Sequence, residues 1–471
     1  VADQTLSATT TDDDVAGFTI VESDGSTSVD ESGATDTITV VLDAEPASDV
    51  VLTVVSSDNG EATVTSTLTF TSANWDTAQT ITVTGVDDNL VDGSISSTIT
   101  VAVADAASND SFDTVADQTV SVATADDDAA GFTIVESDGS TEVAESGTTD
   151  TFTVVLDAQP ISDVVLTVTS SDTGEATVTS TLTFTSANWD TAQTITVTGV
   201  DEDLVDGSIS STITIAVDDA NSDDDFDSVA DQTLSATTTD DDVAGFTIVE
   251  SDGSTEVSES GTTDTFTIVL DAQPTSDVVI LISPEDTGEA TTTGTLTFSP
   301  LNWDTPQTIT VTGVDDSVID GSINSNVVIT VIDEISDDSF DSVVDQTVSV
   351  TTTDDDVAGF TIVESDGSTE VDESGTTDTF TIVLDIQPTS DVVLTVASES
   401  SNESTVNPSS ITFTSANWDT PQTVTVTGAD EQIVDGDQVT AITISVLDTA
   451  SDDNFDELVD QTVSATTTDD D

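Results

Sequence analysis

The chain alternates apolar and polar residues with period two in short runs. In the first full block, "GFTIVE" from Gly17, "DTITVVL" (36–42) and "DVVLTVVS" (49–56) read as three strands. "EATVTSTLTF" (61–70), "TITVTGV" (80–86), "SISSTITVAV" (94–103) and "VADQTVSVAT" (115–124) read as four more. Ile38, Val40 and Leu42 share one face, as do Ile99, Val101 and Val103. Such alternation puts one face of a sheet in a core and the other in water. Valine, isoleucine and threonine fill the runs, with glycine and proline between them, which is β-sheet usage. Seven antiparallel strands of this length predict two sheets packed face to face.

The whole pattern recurs. "GF" begins at Gly17, Gly131, Gly245 and Gly359, spaced by 114 residues, and the last block gains one residue between Asp391 and Phe413. That period is too long for a solenoid unit and fits an independent sandwich. The predicted fold is all-β: tandem seven-stranded antiparallel β-sandwich domains of immunoglobulin-like type in a linear array. The boundaries fall at 15–128, 129–242, 243–356 and 357–471. Residues 1–14 repeat the tail of later blocks and read as the last strand of a preceding repeat, so the chain reads as a slice of something longer. Strands of ~10 residues at ~3.4 Å each imply domains ~35–45 Å long, and four in series would span on the order of 160 Å.

Composition then changes the picture. The 471 residues include 96 acids and no lysine, arginine or histidine, a formal charge of −96. Hydrophobic residues make up 35%, and low hydrophobicity with such charge ordinarily marks disorder; the strand pattern argues the other way. Nucleic acid and anionic membrane surfaces need basic side chains, so both are excluded as partners. Cations are the natural partners. Cysteine, methionine and tyrosine are absent, which removes disulfides and thiol or thioether chemistry. An enzyme is not expected, because only a carboxylate pair would remain to do chemistry, and no cleft is indicated. No apolar run approaches the ~20 residues of a membrane helix.

Strand parity places the acids. Loops after the first, third and fifth strands and the end of the seventh gather at one tip, the exit tip. Glu31, Asp58, Glu61, Asp87, Asp88, Asp92 and Asp126–Asp128 belong there. The other loops, with Asp49, Asp76, Asp110 and Asp113, form the entry tip. Two carboxylates ~4 Å apart repel by ~4 kcal/mol at an effective dielectric of ~20, a large fraction of the ~5–15 kcal/mol that holds a domain together. No basic residue relieves this, so a bound divalent ion is the ready solution. Calcium takes six to eight oxygen ligands in flexible geometry; magnesium keeps its waters, and zinc wants nitrogen or sulfur. Scattered acids such as Asp36 and Asp43 read as solvated surface.

"DESG" (30–33), "VDDNLVDG" (86–93), "DDDAAGF" (126–132) and "LTFTSANWDTAQTITVTGVDD" resemble the Calx-β domain and related repeats of giant bacterial surface and adhesin-type proteins. The resemblance covers the whole repeat, four times over. It implies that calcium is held at the exit tip by a glutamate after the first strand, acids after the fifth strand and a terminal aspartate triplet. Carried over by position, the glutamate is Glu31, Glu145, Glu259 or Glu373. The pair is Asp87 with Asp88, Asp201 with Glu202, Asp315 with Asp316, and Asp430 with Glu431. The next acid is Asp92, Asp206, Asp320 or Asp435. The triplets are Asp126, Asp127 and Asp128; Asp240, Asp241 and Asp242; Asp354, Asp355 and Asp356; and Asp469, Asp470 and Asp471. The family's aspartate before the fourth strand has no clear counterpart, and a second acid beyond Asp92 is missing, with Asp437 the one candidate in the last repeat. Fewer or weaker ions per tip are implied.

The entry-tip acids (Asp110 and Asp113; Asp223–Asp225 and Asp227; Asp337, Asp338 and Asp341; Asp452, Asp453 and Asp456) are either part of an interdomain ion site facing the preceding triplet or a polar loop. Trp75, Trp189, Trp303 and Trp418 read as plugs at the entry end of each core. The expected function is a calcium-stiffened, extracellular or cell-surface rod in a filament, fibre or adhesin stalk. Neighbouring repeats and identical chains are the expected protein partners. The alternative is a calcium-dependent adhesion module whose repeats bind a glycan, a surface or a partner protein.

Overall fold

The computed structural model describes residues 3–470. Strand, bend and loop account for nearly all of them, with a few three-residue 3-10 turns and no α-helix among the described residues. In the first repeat the strands are β1 (Phe18–Glu22), β2 (Thr27–Asp30), β3 (Thr35–Leu42), β4 (Val50–Ser56), β5 (Ala62–Val64), β6 (Thr67–Phe70), β7 (Gln79–Gly85), β8 (Ile95–Val103) and β9 (Gln118–Ala125). They form a four-stranded sheet ordered β1-β3-β7-β5 and a five-stranded sheet ordered β2-β9-β8-β4-β6. The same two sheets recur in each of the other three repeats.

Nine segments stand where seven strands are expected, because the first and fourth strands each break and change sheets. After β1 pairs antiparallel with β3, the chain crosses over and β2 pairs parallel with β9. The crossing is held by Asp36, whose carboxylate accepts from the Ser23 hydroxyl at 2.8 Å and the Ser28 amide at 3.0 Å. This acid is a structural clip, not solvated surface. The fourth strand breaks between β5 and β6, and the added residue of the last repeat enlarges the corresponding segment to Ser404–Asn407. On each side of the sandwich one stretch of chain, β1 to β2 or β5 to β6, supplies the edge strand of both sheets.

Each repeat carries its own core. Phe18, Ile38, Val40, Leu52, Phe70, Ile81, Val83, Ile99 and Val101 are buried in the first, with Trp75 half-buried against them. Burying each large apolar side chain contributes roughly 1.5–3 kcal/mol. The other tryptophans pack against their own cores in the same way. Residues 3–17 carry no regular structure, and Leu6 is exposed, although Gln232–Thr239 repeats residues 4–11 and is a strand. A strand needs a hydrogen-bonded neighbour, and the copy at 232–239 has one on each side. The compact units are residues up to Glu202 with Gly207–Asp241, and Asp203–Asp206 with the chain from Asp242 onward.

Candidate metal centre

Three close approaches assemble the exit tip. Gly85 ends β7 against the β2–β3 turn; a Cβ there would lie 2.0 Å from the Asp30 carbonyl oxygen, so only glycine permits the contact. The Glu31 amide donates to the Ala125 carbonyl at 3.0 Å, fixing the turn to the end of β9. The Val86 amide donates to the Glu61 carbonyl at 2.9 Å, fixing the β4–β5 loop to β7. The β7–β8 loop closes over the top, where Asp126 accepts from the amides of Gly93 at 2.8 Å and Asp92 at 3.0 Å. Asp354 and Gly321 repeat that contact at 2.8 Å, as do Asp469 and Gly436 at 2.7 Å.

The result is a set of carboxylates facing one another, with buried glutamates below and half-buried or exposed aspartates such as Asp88, Asp128, Asp316 and Asp320 above. Carboxylate oxygens of Glu31, Asp88 and Asp128 lie within 4.8 Å of one another. In the third repeat two such groups occur, Glu259–Asp316–Asp356 and Glu289–Asp316–Asp320, and Asp316 belongs to both. In the second repeat Glu145, Glu175 and Glu202 converge, and Glu145 also meets Asp240. Asp206 and Asp242 group with the second unit and are half-buried.

The glutamate after the first strand is the deepest member. Glu31, Glu145, Glu259 and Glu373 are 1% exposed or less. Both carboxylate oxygens of Glu259 and of Glu373 are buried and accept no hydrogen bond; the same holds for Glu31 Oε2, Glu61 Oε2, Asp92 Oδ1, Asp128 Oδ2 and Asp356 Oδ2. Burial, then repulsion from Asp88, Asp126, Glu61 and Asp92, pushes the Glu31 pKa up to about 7. Burial and repulsion from Asp354, Asp316, Glu289 and Asp320 push Glu259 up to about 7 as well. Glu61, Asp92, Asp128, Glu289, Asp320, Asp356, Glu373 and Glu403 are all raised, burial being the largest cause in each. A buried acceptor with no donor is costly, and here several share one small volume.

Other members of the expected set stand at the rim. Asp87, Asp201, Asp315 and Asp430, and the middle triplet acids Asp127, Asp241, Asp355 and Asp470, are exposed. Asp315 and Asp355 line a cavity of about 330 Å³ together with Glu259. Glu431 and Asp469 are half-buried, Asp435 and Asp437 are exposed, and Asp471 lies outside the described residues.

One acid of the cluster stands outside the expected set. Glu61, Glu175 and Glu289 are 5–7% exposed and stand among the site acids, and Glu403 is half-buried beside Glu373. They stand at the start of the fourth predicted strand. The signal was present: parity already assigned Glu61 to this tip, and a glutamate recurs there in all four blocks.

At the entry tip the deepest acids have donors, although burial and neighbouring acids raise Asp113, Asp227, Asp341 and Asp456, and Asp456 Oδ1 accepts no hydrogen bond. Asp223, Asp337 and Asp452 are buried, and each caps a short 3-10 turn, accepting from the backbone two residues on. Asp337 accepts from Thr275 Oγ1 at 2.5 Å, the Ser276 amide at 2.6 Å and the Ser339 amide at 3.0 Å. Burial pushes its pKa up, but these hydrogen bonds outweigh it and hold it down at about 2.

No family model and no curated protein matches the sequence. Solved structures do align. Calcium binding domain CBD12 of CALX1.1 does so at 16% identity, over 42% of this chain and 80% of its own, with a TM-score of 0.21. Surface layer protein SbsC, domains 4–9, does so at 13% identity over 95% and 65%, with a TM-score of 0.21. PcdhgB3 EC1-4 aligns at 10% identity over 89% and 92%, with a TM-score of 0.31. At such identities a likeness concerns the fold alone, and the chemistry of the tips follows from their own residues. Those residues define a class: a tandem β-sandwich repeat protein whose acidic tips gather carboxylates around a buried glutamate, with both oxygens accepting no hydrogen bond at Glu259 and Glu373.

Proposed function

We propose that the exit tips are calcium sites and that the chain is a calcium-stiffened structural rod of an extracellular or cell-surface assembly. One observation carries this reading: fully buried carboxylates, with both oxygens unpartnered at Glu259 and Glu373, converge in a protein that contains no basic side chain. Every available donor is a hard oxygen, which suits calcium and not zinc. Glu31, Glu61, Asp88, Asp92 and Asp128 would hold the ion in the first repeat, and their counterparts would do so in the others. Asp316, common to two groups, would bridge two ions in the third repeat. The repeats are taken as 15–128, 129–242, 243–356 and 357–471. Extracellular calcium modules bind at ~10⁻⁴–10⁻³ M, so occupancy follows an external supply.

Calorimetric titration of the whole chain with calcium tests the proposal, repeated on Glu259→Gln combined with Glu289→Gln. The expected result is several ions per chain and fewer in the double variant. Equal stoichiometry in the two proteins, or no heat at millimolar calcium, would sink the reading.

A further inference from the structure

The loop between β4 and β5 reads Asp58-Asn59-Gly60 in the first repeat, where its copies read Asp172-Thr173-Gly174 and Asp286-Thr287-Gly288. No other asparagine of the chain stands before a glycine. That pair carries its own chemistry. The asparagine amide is a thermolabile group, and the next backbone nitrogen reaches its carbon by closing a five-membered ring. A residue with a Cβ screens that nitrogen, whereas glycine leaves it open. In the fourth repeat Asn402 stands before Glu403, whose side chain supplies the screen.

The fold presents this pair to water and holds what lies on either side of it. Asn59 and Gly60 are exposed, whereas Glu61, the next residue, is 7% exposed. The Ser56 hydroxyl donates to the Asp58 carbonyl at 2.8 Å, and the Ala62 amide donates to the same oxygen at 3.2 Å. Asp58 Oδ1 accepts from the Gly60 amide at 2.9 Å, so the proton that must leave this nitrogen already faces a carboxylate.

We infer that Asn59 is a self-modification site, at which the exit tip of the first repeat gains a carboxylate. The Gly60 nitrogen bonds to Asn59 Cγ and gives up its proton. The Cγ–Nδ2 bond breaks, and the amide nitrogen leaves with that proton as ammonia. Water then opens the cyclic imide at either carbonyl. One product is aspartate; in the other, isoaspartate, the main chain runs through the former side-chain carbon. Nothing is oxidised or reduced, and water is the one co-reactant. Both products bear on the tip. Asp58 is among the acids whose charge opposes that of Glu61, and a further charge in the same loop adds to that opposition. Isoaspartate also lengthens the backbone by one carbon two residues before Glu61. Thr173 and Thr287 have no amide to lose, so the second and third repeats are exempt.

Peptide mapping by mass spectrometry tests this on the whole chain, aged in warm, mildly alkaline, oxygen-labelled water. Chelator throughout keeps the result independent of the calcium reading. Residue 59 should lose its amide and take up the label, as a mixture of aspartate and isoaspartate, while the other asparagines keep their amides. Gly60→Ala should slow the loss; its Cβ would stand 3.2 Å from Asp58 Oδ1 in an exposed loop, so the fold should tolerate it. Ageing should also lower the melting temperature of the wild type and not that of Asn59→Thr, which carries the residue of the second and third repeats. An amide at residue 59 that lasts as long as those of the other asparagines would overturn the inference. So would an equal rate of loss in Gly60→Ala, or an equal fall in melting temperature in Asn59→Thr.

Discussion

Glu259 and Asp337 belong to the same repeat and are 1% and 3% exposed, yet their pKa values move in opposite directions, to about 7 and to about 2. Burial alone raises both. The difference is what faces them. Asp337 looks into the hydroxyls and amides of Thr275, Ser276 and Ser339, which donate to its charge. Glu259 looks into Asp316, Asp354, Glu289 and Asp320. One end of the sandwich satisfies its buried acid from within, and the other needs a cation or a proton. A buried carboxylate therefore says nothing about metal until its donors are known.

The largest expected effect comes from adding calcium. At a free concentration ~100 times the dissociation constant, each site would stabilise its repeat by ~2.7 kcal/mol. Thermal unfolding with and without chelator measures this, and coincident melts would erase the contrast between the tips. Next is Asp337→Ala, which strands the donors of Thr275, Ser276 and Ser339 and should cost ~1–3 kcal/mol. That loss should be the same with and without calcium, and a calcium-dependent loss would merge the two tips into one system.

Glu259→Gln should show a change of sign. In chelator it removes a buried, repelled charge and should stabilise the third repeat. With calcium it should weaken binding at least ~10-fold, equivalent to ~1.4 kcal/mol. Destabilisation in chelator would mean that some donor already satisfies Glu259.

The pH dependence sharpens the same contrast. Glu31 and Glu259 bind protons more tightly in the folded chain than their ordinary value of 4.5. Metal-free stability should therefore fall as pH rises from 4.5 to about 7. Asp337 is depressed, so its contribution is present above 3.8 and lost as pH falls towards about 2. Denaturant midpoints across pH in chelator read both trends. Calcium should abolish the first and leave the second.

The smallest effect is expected for Asp337→Asn, within ~1 kcal/mol. The first repeat already carries Asn109 at this position, accepting from the Ser111 amide and donating to Ser48.

Much of this was legible in the residues. Period-two runs located most strands but not β2, and the spacing of "GF" matches the recurrence of the two sheets. Strand parity alone brings Glu31, Asp88, Asp92 and Asp128 to one tip. The break between β5 and β6 was missed because "EATVTSTLTF" alternates without interruption. Its copies mark the place: Gly294 and Pro408 fall at the equivalent break. The clip at Asp36 was missed for a different reason. Its partners, Ser23 and Ser28, lie across a crossover that no local pattern announces.

Composition and periodicity determined the sandwich, its repetition and the need for a counter-charge, because these depend on which residue types recur and how often. Only the tertiary structure decided which acids are bare and which are satisfied. A carboxylate's fate depends on donors brought from distant strands and loops. Thr275 reaches Asp337 across 62 residues, whereas nothing in the fold carries a donor to Glu259.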